Sequence, residues 1–300
     1  MISKDKGIFR QLINKHDLPV YMQDWYMDVV CSAGSWSVYM LLEESEIHAV
    51  WLAGTKSKFG LSYAVNLPLT PYGGLHIVNP SVSQLELNTL IAAVISDHQF
   101  IEQDIHPDHS ELFSGSTEAK VTYMLPLSTS EVAWSNMKSG HRRKVRRAEE
   151  QFRVDNTDFS SFRKLLHLSF LSKNREDPYP TAAFIELDKA CAKHNSRIIL
   201  GAYSGQGDLQ GAAYFLKDDK YVYYLGGGHL DNQYSMYLLI WSGIRMAMEQ
   251  GLAFDFEGSM IPGVAQFFKG FGGCVRSYPV FSHSSSWLVQ KIVELKKHWS

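Results

Sequence analysis

Cysteine is scarce in this 300-residue chain: Cys31, Cys191 and Cys274 lie far apart without CxxC spacing, and three cannot all pair. That pattern excludes a disulfide framework and a cysteine zinc site, and it fits lone thiols in a reducing compartment. Long apolar runs are missing too, since nothing approaches the roughly eighteen consecutive residues that a membrane helix needs. The start, Met1 to Gly7, carries charges with no apolar stretch behind them, so no export signal is expected and the reading is a cytoplasmic protein. Neither sign of charge dominates: 29 Lys and Arg stand against 31 Asp and Glu, for a net charge of -2, which argues against DNA as a partner. Neither GxxxxGK[ST] nor GxGxxG occurs, disfavouring nucleotide-triphosphate and dinucleotide chemistry. The histidines show no HExxH or HxH spacing and Ser259 lacks a GxSxG setting, so neither a metal site nor an esterase nucleophile is expected.

What is present points to a soluble α/β protein. An apolar fraction of 45% with 13% aromatics suffices for sizeable cores, and the length suits two domains. Charge is unevenly spread: residues 1–137 hold fifteen acids against seven Lys and Arg, whereas Lys138 to Arg147 holds six basic residues and no acid. An anion site near that cluster stays open.

Periodicity predicts alternating strands at Trp36 to Leu42 and Ile47 to Gly54, then Tyr63 to Leu69 and Leu75 to Val78 around the turn Thr70-Pro71-Tyr72-Gly73-Gly74. A helix at Leu85 to Ile95 and strands at Phe100 to Gln103 and Lys120 to Leu125 follow, then helices from Ser130 through Glu150 with a break at Ser139-Gly140. Helices at 158–172 and 181–194, three strands between Arg197 and Leu225, and a helix apolar nearly all round from Ser235 to Gln250 come next. Strands at Ala253 to Phe256 and Val275 to Phe281 and a helix from Trp287 to Lys297 end the chain. The second half loosely repeats the first, as a duplication would.

Three places offer chemistry. Gly226-Gly227-Gly228 ends a strand just before the apolar helix, where Gly227 permits close approach of a ligand; the plainer reading is a bulged strand end. Arg142, Arg143, Arg146 and Arg147 spread over one side of a helix and suit phosphate or carboxylate binding, against the plainer reading of a solvated face with pairs such as Arg146 to Glu150. In Phe254-Asp255-Phe256-Glu257-Gly258-Ser259, alternation places Asp255 and Glu257 on one strand face as a possible acid/base pair, or as partners of nearby arginines. Pro262 suits the first turn of a following helix, so Lys269 projects near its end, either to neutralise an oxyanion or to complement the helix dipole.

Together, His141-Arg142-Arg143-Lys144-Val145-Arg146-Arg147-Ala148-Glu149 and Phe254 to Ser259, followed by Phe268-Lys269-Gly270-Phe271-Gly272-Gly273, resemble the FemAB-like acyltransferases. This is the methicillin resistance protein-like group within the Gcn5-related N-acetyltransferase superfamily. The resemblance is strongest from Thr122 to Tyr278. It implies an α/β fold of mixed sheets with two tandem acyl-CoA N-acyltransferase-like domains, residues 1–128 and 129–300, the second including linking helices at 130–150. It also implies an amide-forming acyltransferase that moves an aminoacyl or acyl group from an activated donor, aminoacyl-tRNA or acyl-CoA, to an amine acceptor, with no tightly bound cofactor. By resemblance Lys269 is the catalytic residue that stabilises the transition state and Arg175 holds precursor phosphates; Arg143, Tyr72, Gly227 and Glu257 join Arg175 as the candidate substrate-binding residues.

Two departures bear on substrate. Peptidoglycan-bridge members carry a phosphate-binding lysine shortly after the tryptophan of the first helix, where this chain has Trp25 followed by Tyr26, Met27, Asp28, Val29 and Val30. The coenzyme A pyrophosphate signature is missing from His229 to Tyr234. The alternatives are an acyl-CoA-dependent N-acyltransferase acting on a small amine, or a non-catalytic binding protein of the same fold.

Overall fold

The computed structural model describes every residue except 32–34, 59, 114–118, 231–233, 259, 288 and 292–300. Ser259, part of the sequence between Gly228 and Ser235, and much of the C-terminal helix expected from Trp287 therefore lie outside the described residues. The chain forms two compact units, Met1–Lys120 with the segment from Ser277 onward, and Val121–Arg276. A linear cut at 128/129 does not capture the return of the C-terminal strand to the first unit.

In the first unit the elements are β1 (Ile2–Ser3), α1 (Lys6–Leu12), α2 (Asp24–Val30), β2 (Trp36–Glu43), β3 (Glu46–Lys58), β4 (Leu61–Val65), β5 (Gly74–Ile77), α3 (Gln84–Asp97) and β6 (Phe100–Asp104). The strands β2, β3 and β4 form an antiparallel meander, α3 crosses over, and β6 returns parallel to β4. The α3 crossover starts sharply because Ser83 and Glu86 form a reciprocal capping box. Its apolar face, Leu87, Leu90 and Val94, packs on Tyr39, Trp51 and Ile101 to make this unit's core. Beyond the Pro71 turn, β5 registers antiparallel with β3. The intervening loop ends its strand character at Val65 and turns through Leu69 at positive φ.

The chain continues through β7 (Ala119–Leu125), α4 (Ser130–Asn136), α5 (Ser139–Glu149), β8 (Phe152–Asn156), α6 (Phe159–Leu171), α7 (Thr181–Lys193), β9 (Arg197–Ser204), β10 (Leu209–Lys217) and β11 (Tyr221–His229). The last elements are α8 (Tyr234–Glu249), β12 (Ala253–Asp255), α9 (Pro262–Gly270) and β13 (Cys274–Ser284). The second unit repeats the first: β8, β9, β10 and β11 form an antiparallel meander, α8 crosses over, and β12 returns parallel to β11. Most of α8 is buried, with Leu239, Ile240, Ile244 and Ala247 fully so, as its all-round apolar sequence requires.

A reciprocal exchange completes the two repeats. Although β7 follows β6 in the chain, it registers with β12 (Phe254↔Leu125, Asp255↔Met124), and β13, which follows β12, registers with β6 from Val280↔Asp104 to Ser284↔Phe100. No helix among the described residues is long and apolar enough to cross a membrane.

Candidate active site in the second unit

Parallel strands joined by a crossover commonly bind ligands where they part, because their backbone groups there lack a strand partner. In the second unit β11 and β12 register only from Tyr221↔Ala253 to Tyr223↔Asp255, after which β12 ends and β11 runs on to His229. A β-bulge accompanies the parting: the β10/β11 register shifts between Tyr214 and Phe215, opposite Gly226 and Tyr224. The extra residue breaks the in-out alternation, so Tyr224 turns toward the position of Gly227. A β-carbon at Gly227 would lie 2.8 Å from the Tyr224 hydroxyl, the Ala212 carbonyl oxygen and the Met236 methyl, so glycine here makes room for the phenol. The Leu225 carbonyl accepts a 2.9 Å hydrogen bond from the Tyr179 hydroxyl. Tyr179 is posted there by its loop, where its N–H donates to Asp177, which in turn pairs with Arg163 of α6 at 2.9 Å.

The other wall is the end of β12. Asp255 is fully buried and accepts two hydrogen bonds of 2.8 Å, from the Thr122 hydroxyl and the Glu257 N–H. Phe256 extends the antiparallel pairing by one bond, from its N–H to the Tyr123 carbonyl at 3.0 Å, and then the chain turns. Strand alternation does not continue to Glu257, as the sequence pattern had suggested: this residue sits in the left-handed region at φ 56°. Non-glycine residues adopt that region at a cost of about 1 kcal/mol. The observed partners of Asp255 include the Thr122 hydroxyl rather than the arginine the sequence suggested.

Glu257 has a buried Oε1 with no hydrogen-bond partner among the described residues. Burial, reinforced by the adjacent Asp255 charge, pushes its carboxyl well above the usual carboxylate range. The same enclosure raises both phenols: Tyr179 and Tyr224 are shifted up by burial first and by the Glu257 charge in addition. A carboxyl of raised proton affinity, within electrostatic reach of two phenols, one of them against Phe215 and Phe268, is suited to proton transfer. Glu257 and Gly227, two of the residues expected from sequence, follow the two strands that part here, Glu257 after β12 and Gly227 on the continuing β11. Tyr179 and Tyr224 went unnoticed in the sequence, and the one available signal was the glycine run that accommodates them.

The other expected residues lie elsewhere. Lys269 is exposed in the last turn of α9 and makes no hydrogen bond or ion pair among the described residues. Arg175 is exposed in the loop after α6, near enough to Lys173 to help depress its ammonium, whose main perturbation is burial. Arg143 is exposed on α5. Its neighbours are occupied: Arg142 caps the carbonyls of Ser135 and Met137, Lys144 donates to the Tyr237 hydroxyl at 2.8 Å, and Arg146 and Arg147 lie over Trp134 and Tyr234. Tyr72 is buried in the first unit, edge-on to Tyr21, His106 and Tyr278, and lines a small hollow with Asn66 and Gln103. Among the described residues no group of His, Cys, Asp and Glu is arranged to hold a metal ion.

The two halves of the sequence signature do meet, as packing. The His141 ring sits among Tyr237, Phe267 and Phe271, its Nε2–H donates to the Phe267 carbonyl at 3.0 Å, and it occupies the space a side chain at Gly270 would need. The Lys138 N–H donates to the Gly270 carbonyl at 2.9 Å. Gly270 is therefore required so that α9 can dock on the start of α5.

Two repeats of a meander, a crossover helix and a parallel return strand, the second with a bulge where its strands part, define a tandem Gcn5-related N-acetyltransferase fold of the FemAB-like kind. Among solved structures, FemX superposes with a TM-score of 0.72 at 11% identity, covering 98% of this chain and 99% of that one. A tandem GNAT protein from the clavulanic acid biosynthesis pathway gives a TM-score of 0.50 at 10% identity over 95% and 98% of the two chains. A GNAT-family acetyltransferase from Colwellia psychrerythraea gives 0.50 at 13% identity over 95% and 100%. Neither a protein-family model nor a curated protein sequence matches the chain.

Proposed function

We propose that this protein is an acyltransferase that forms an amide bond, with its chemistry at the β11/β12 gap of the second unit. The observation that carries this reading is the half-buried Glu257, whose buried Oε1 has no hydrogen-bond partner among the described residues, in a fold shared with an acetyltransferase. An acceptor amine attacks the carbonyl of an activated ester or thioester, so that a C–N bond forms and the C–O or C–S bond breaks. Glu257, in its ionised fraction, takes the surplus amine proton; its raised affinity for protons makes it a stronger base than an ordinary carboxylate. The leaving oxygen or sulfur takes its proton through Tyr224, which regains one from the protonated Glu257 so that both groups end as they began; the Tyr224 hydroxyl makes no hydrogen bond among the described residues, whereas that of Tyr179 is held by Leu225. Lys269, Arg175 and Arg143, all exposed away from the gap, steer an anionic part of donor or acceptor toward it, in keeping with the resemblance and with their exposure.

The donor is an aminoacyl ester of tRNA or an acyl-CoA. Incubating the full chain with a panel of both, together with simple amines and amine-bearing peptides, and following loss of the activated ester tests the reading. Consumption of one donor class with appearance of an amide product is expected. A protein that binds such donors yet turns none over would be the non-catalytic binding module instead.

A further inference from the structure

Glu257 occupies a conformation that its residue type disfavours, and a carboxyl without partners gains nothing from it. The cause lies two residues earlier. The Asp255 side chain is anchored by the Thr122 hydroxyl from β7 at 2.8 Å, and with the same oxygen it accepts the Glu257 N–H at 2.8 Å. Thr122 and Asp255 are both fully buried. This bond from side chain to backbone replaces the strand hydrogen bond that Glu257 would otherwise make and favours the turn.

We propose that Asp255, held by Thr122, is a positioning residue for Glu257: it fixes the left-handed turn that sets where the Glu257 carboxyl stands at the end of β12. The inference rests on the reading of Glu257 as the base of acyl transfer. Asp255 also acts through its charge, because a second negative charge in the same enclosure disfavours ionisation of Glu257. The groups around the Glu257 carboxyl are few. Asp255 lies on its own strand, Tyr224 comes from β11, and Tyr179 comes from the loop before α7, backed by the Asp177–Arg163 pair. None of these brings an unpaired cation to the carboxyl.

Two readouts on the full-length protein test this without any substrate. The first is the ionisation midpoint of Glu257, followed by carbon-13 NMR of labelled glutamate side chains and assigned by the signal missing in Glu257→Gln. In Asp255→Asn the amide oxygen still accepts both hydrogen bonds but the charge is gone, so the midpoint is expected to fall by about one unit or more. An unchanged midpoint would overturn the electrostatic part. The second is hydrogen exchange of the Glu257 amide. Protection should persist in Asp255→Asn and drop about tenfold or more in Thr122→Val, where the anchor is lost while the rest of the unit keeps its protection. Equal protection in wild type and Thr122→Val would overturn the positioning role. These outcomes are separate from the fate of the acyl-transfer reading: a shifted midpoint with no donor consumed sinks that reading alone, and donor consumption with an unmoved midpoint sinks this proposal alone.

Discussion

The same topological opening occurs once in each unit, and the two have been finished differently. In the first, β4 and β6 part after Val65↔Glu102, and amide side chains close the opening. Gln103 accepts from the Trp51 indole at 2.7 Å and donates to the Leu52 carbonyl at 3.0 Å, Asn66 accepts from the Asp104 N–H at 2.9 Å, and Asp104 pairs with Lys120 at 2.9 Å. In the second, the residues beyond the last β11/β12 pair are a carboxyl with an orphaned buried oxygen and two phenols of raised pKa. Buried polar groups that satisfy each other specify structure, while an unsatisfied one is a cost that selection tolerates where it serves a purpose. On the function proposed above, the first opening is closed by architecture and the second is left for chemistry.

The largest effect that can break this contrast is on turnover. Glu257→Gln is expected to slow acyl transfer by about 10²–10⁴-fold, and yet to raise the melting temperature at pH 8. The sign follows from the upward shift. A carboxyl whose folded pKa exceeds its unfolded one contributes its stability below the ordinary carboxylate range and loses it as pH rises toward the folded value. The gain over wild type should amount to roughly 2–4 °C per kcal/mol at pH 8 and vanish near pH 4. A stability loss at pH 8 would place Glu257 among the architectural residues.

Next in size is the mirror experiment. Gln103→Leu strands the Trp51 indole N–H and removes a bond to Leu52, so urea denaturation should register a loss of roughly 2–4 kcal/mol. Gly270→Ala drives a methyl into the His141 ring and should cost about 1–3 kcal/mol. Lys269→Ala next door, on an exposed side chain, should stay within about 0.5 kcal/mol in the same assay. The smallest effect is shared by both units. His98 and His141 each have their pKa lowered, chiefly by burial, so each contributes stability that is present above the ordinary histidine range and lost as pH falls through it. Denaturation midpoints should fall between pH 7 and pH 5, and less steeply in His98→Asn and His141→Asn; unchanged slopes would remove these two groups from the account.

Much of this fold was legible because periodicity is local. The helices at α3, α6, α7 and α8 and the meander from β9 to β11 stand where the apolar patterns put them. Pairing partners were not legible, since nothing in β7 or β13 announces that each will register with the return strand of the other repeat. The strand β8 escaped notice because it is half polar and largely exposed, without a buried face to print an alternating pattern. At the candidate site the acid pair stood out in the sequence, but its geometry did not. The alternation ran on to Glu257, whereas the Asp255 side chain starts a turn there. Tyr179 and Tyr224 are brought to Glu257 by a loop and a bulge, neither of which leaves a residue pattern. Weight fell on Lys269 because its motif is recognisable, yet the glycine and aromatics of that motif pack α9 against α5.

The most direct test places Glu257→Gln and Gln103→Leu side by side in single-turnover acyl transfer, with a donor the wild type consumes, at a temperature where both variants are folded. The account predicts wild-type rates for Gln103→Leu and a loss of at least about a hundredfold for Glu257→Gln. Equal rates for the two variants, or a loss confined to Gln103→Leu, would contradict it.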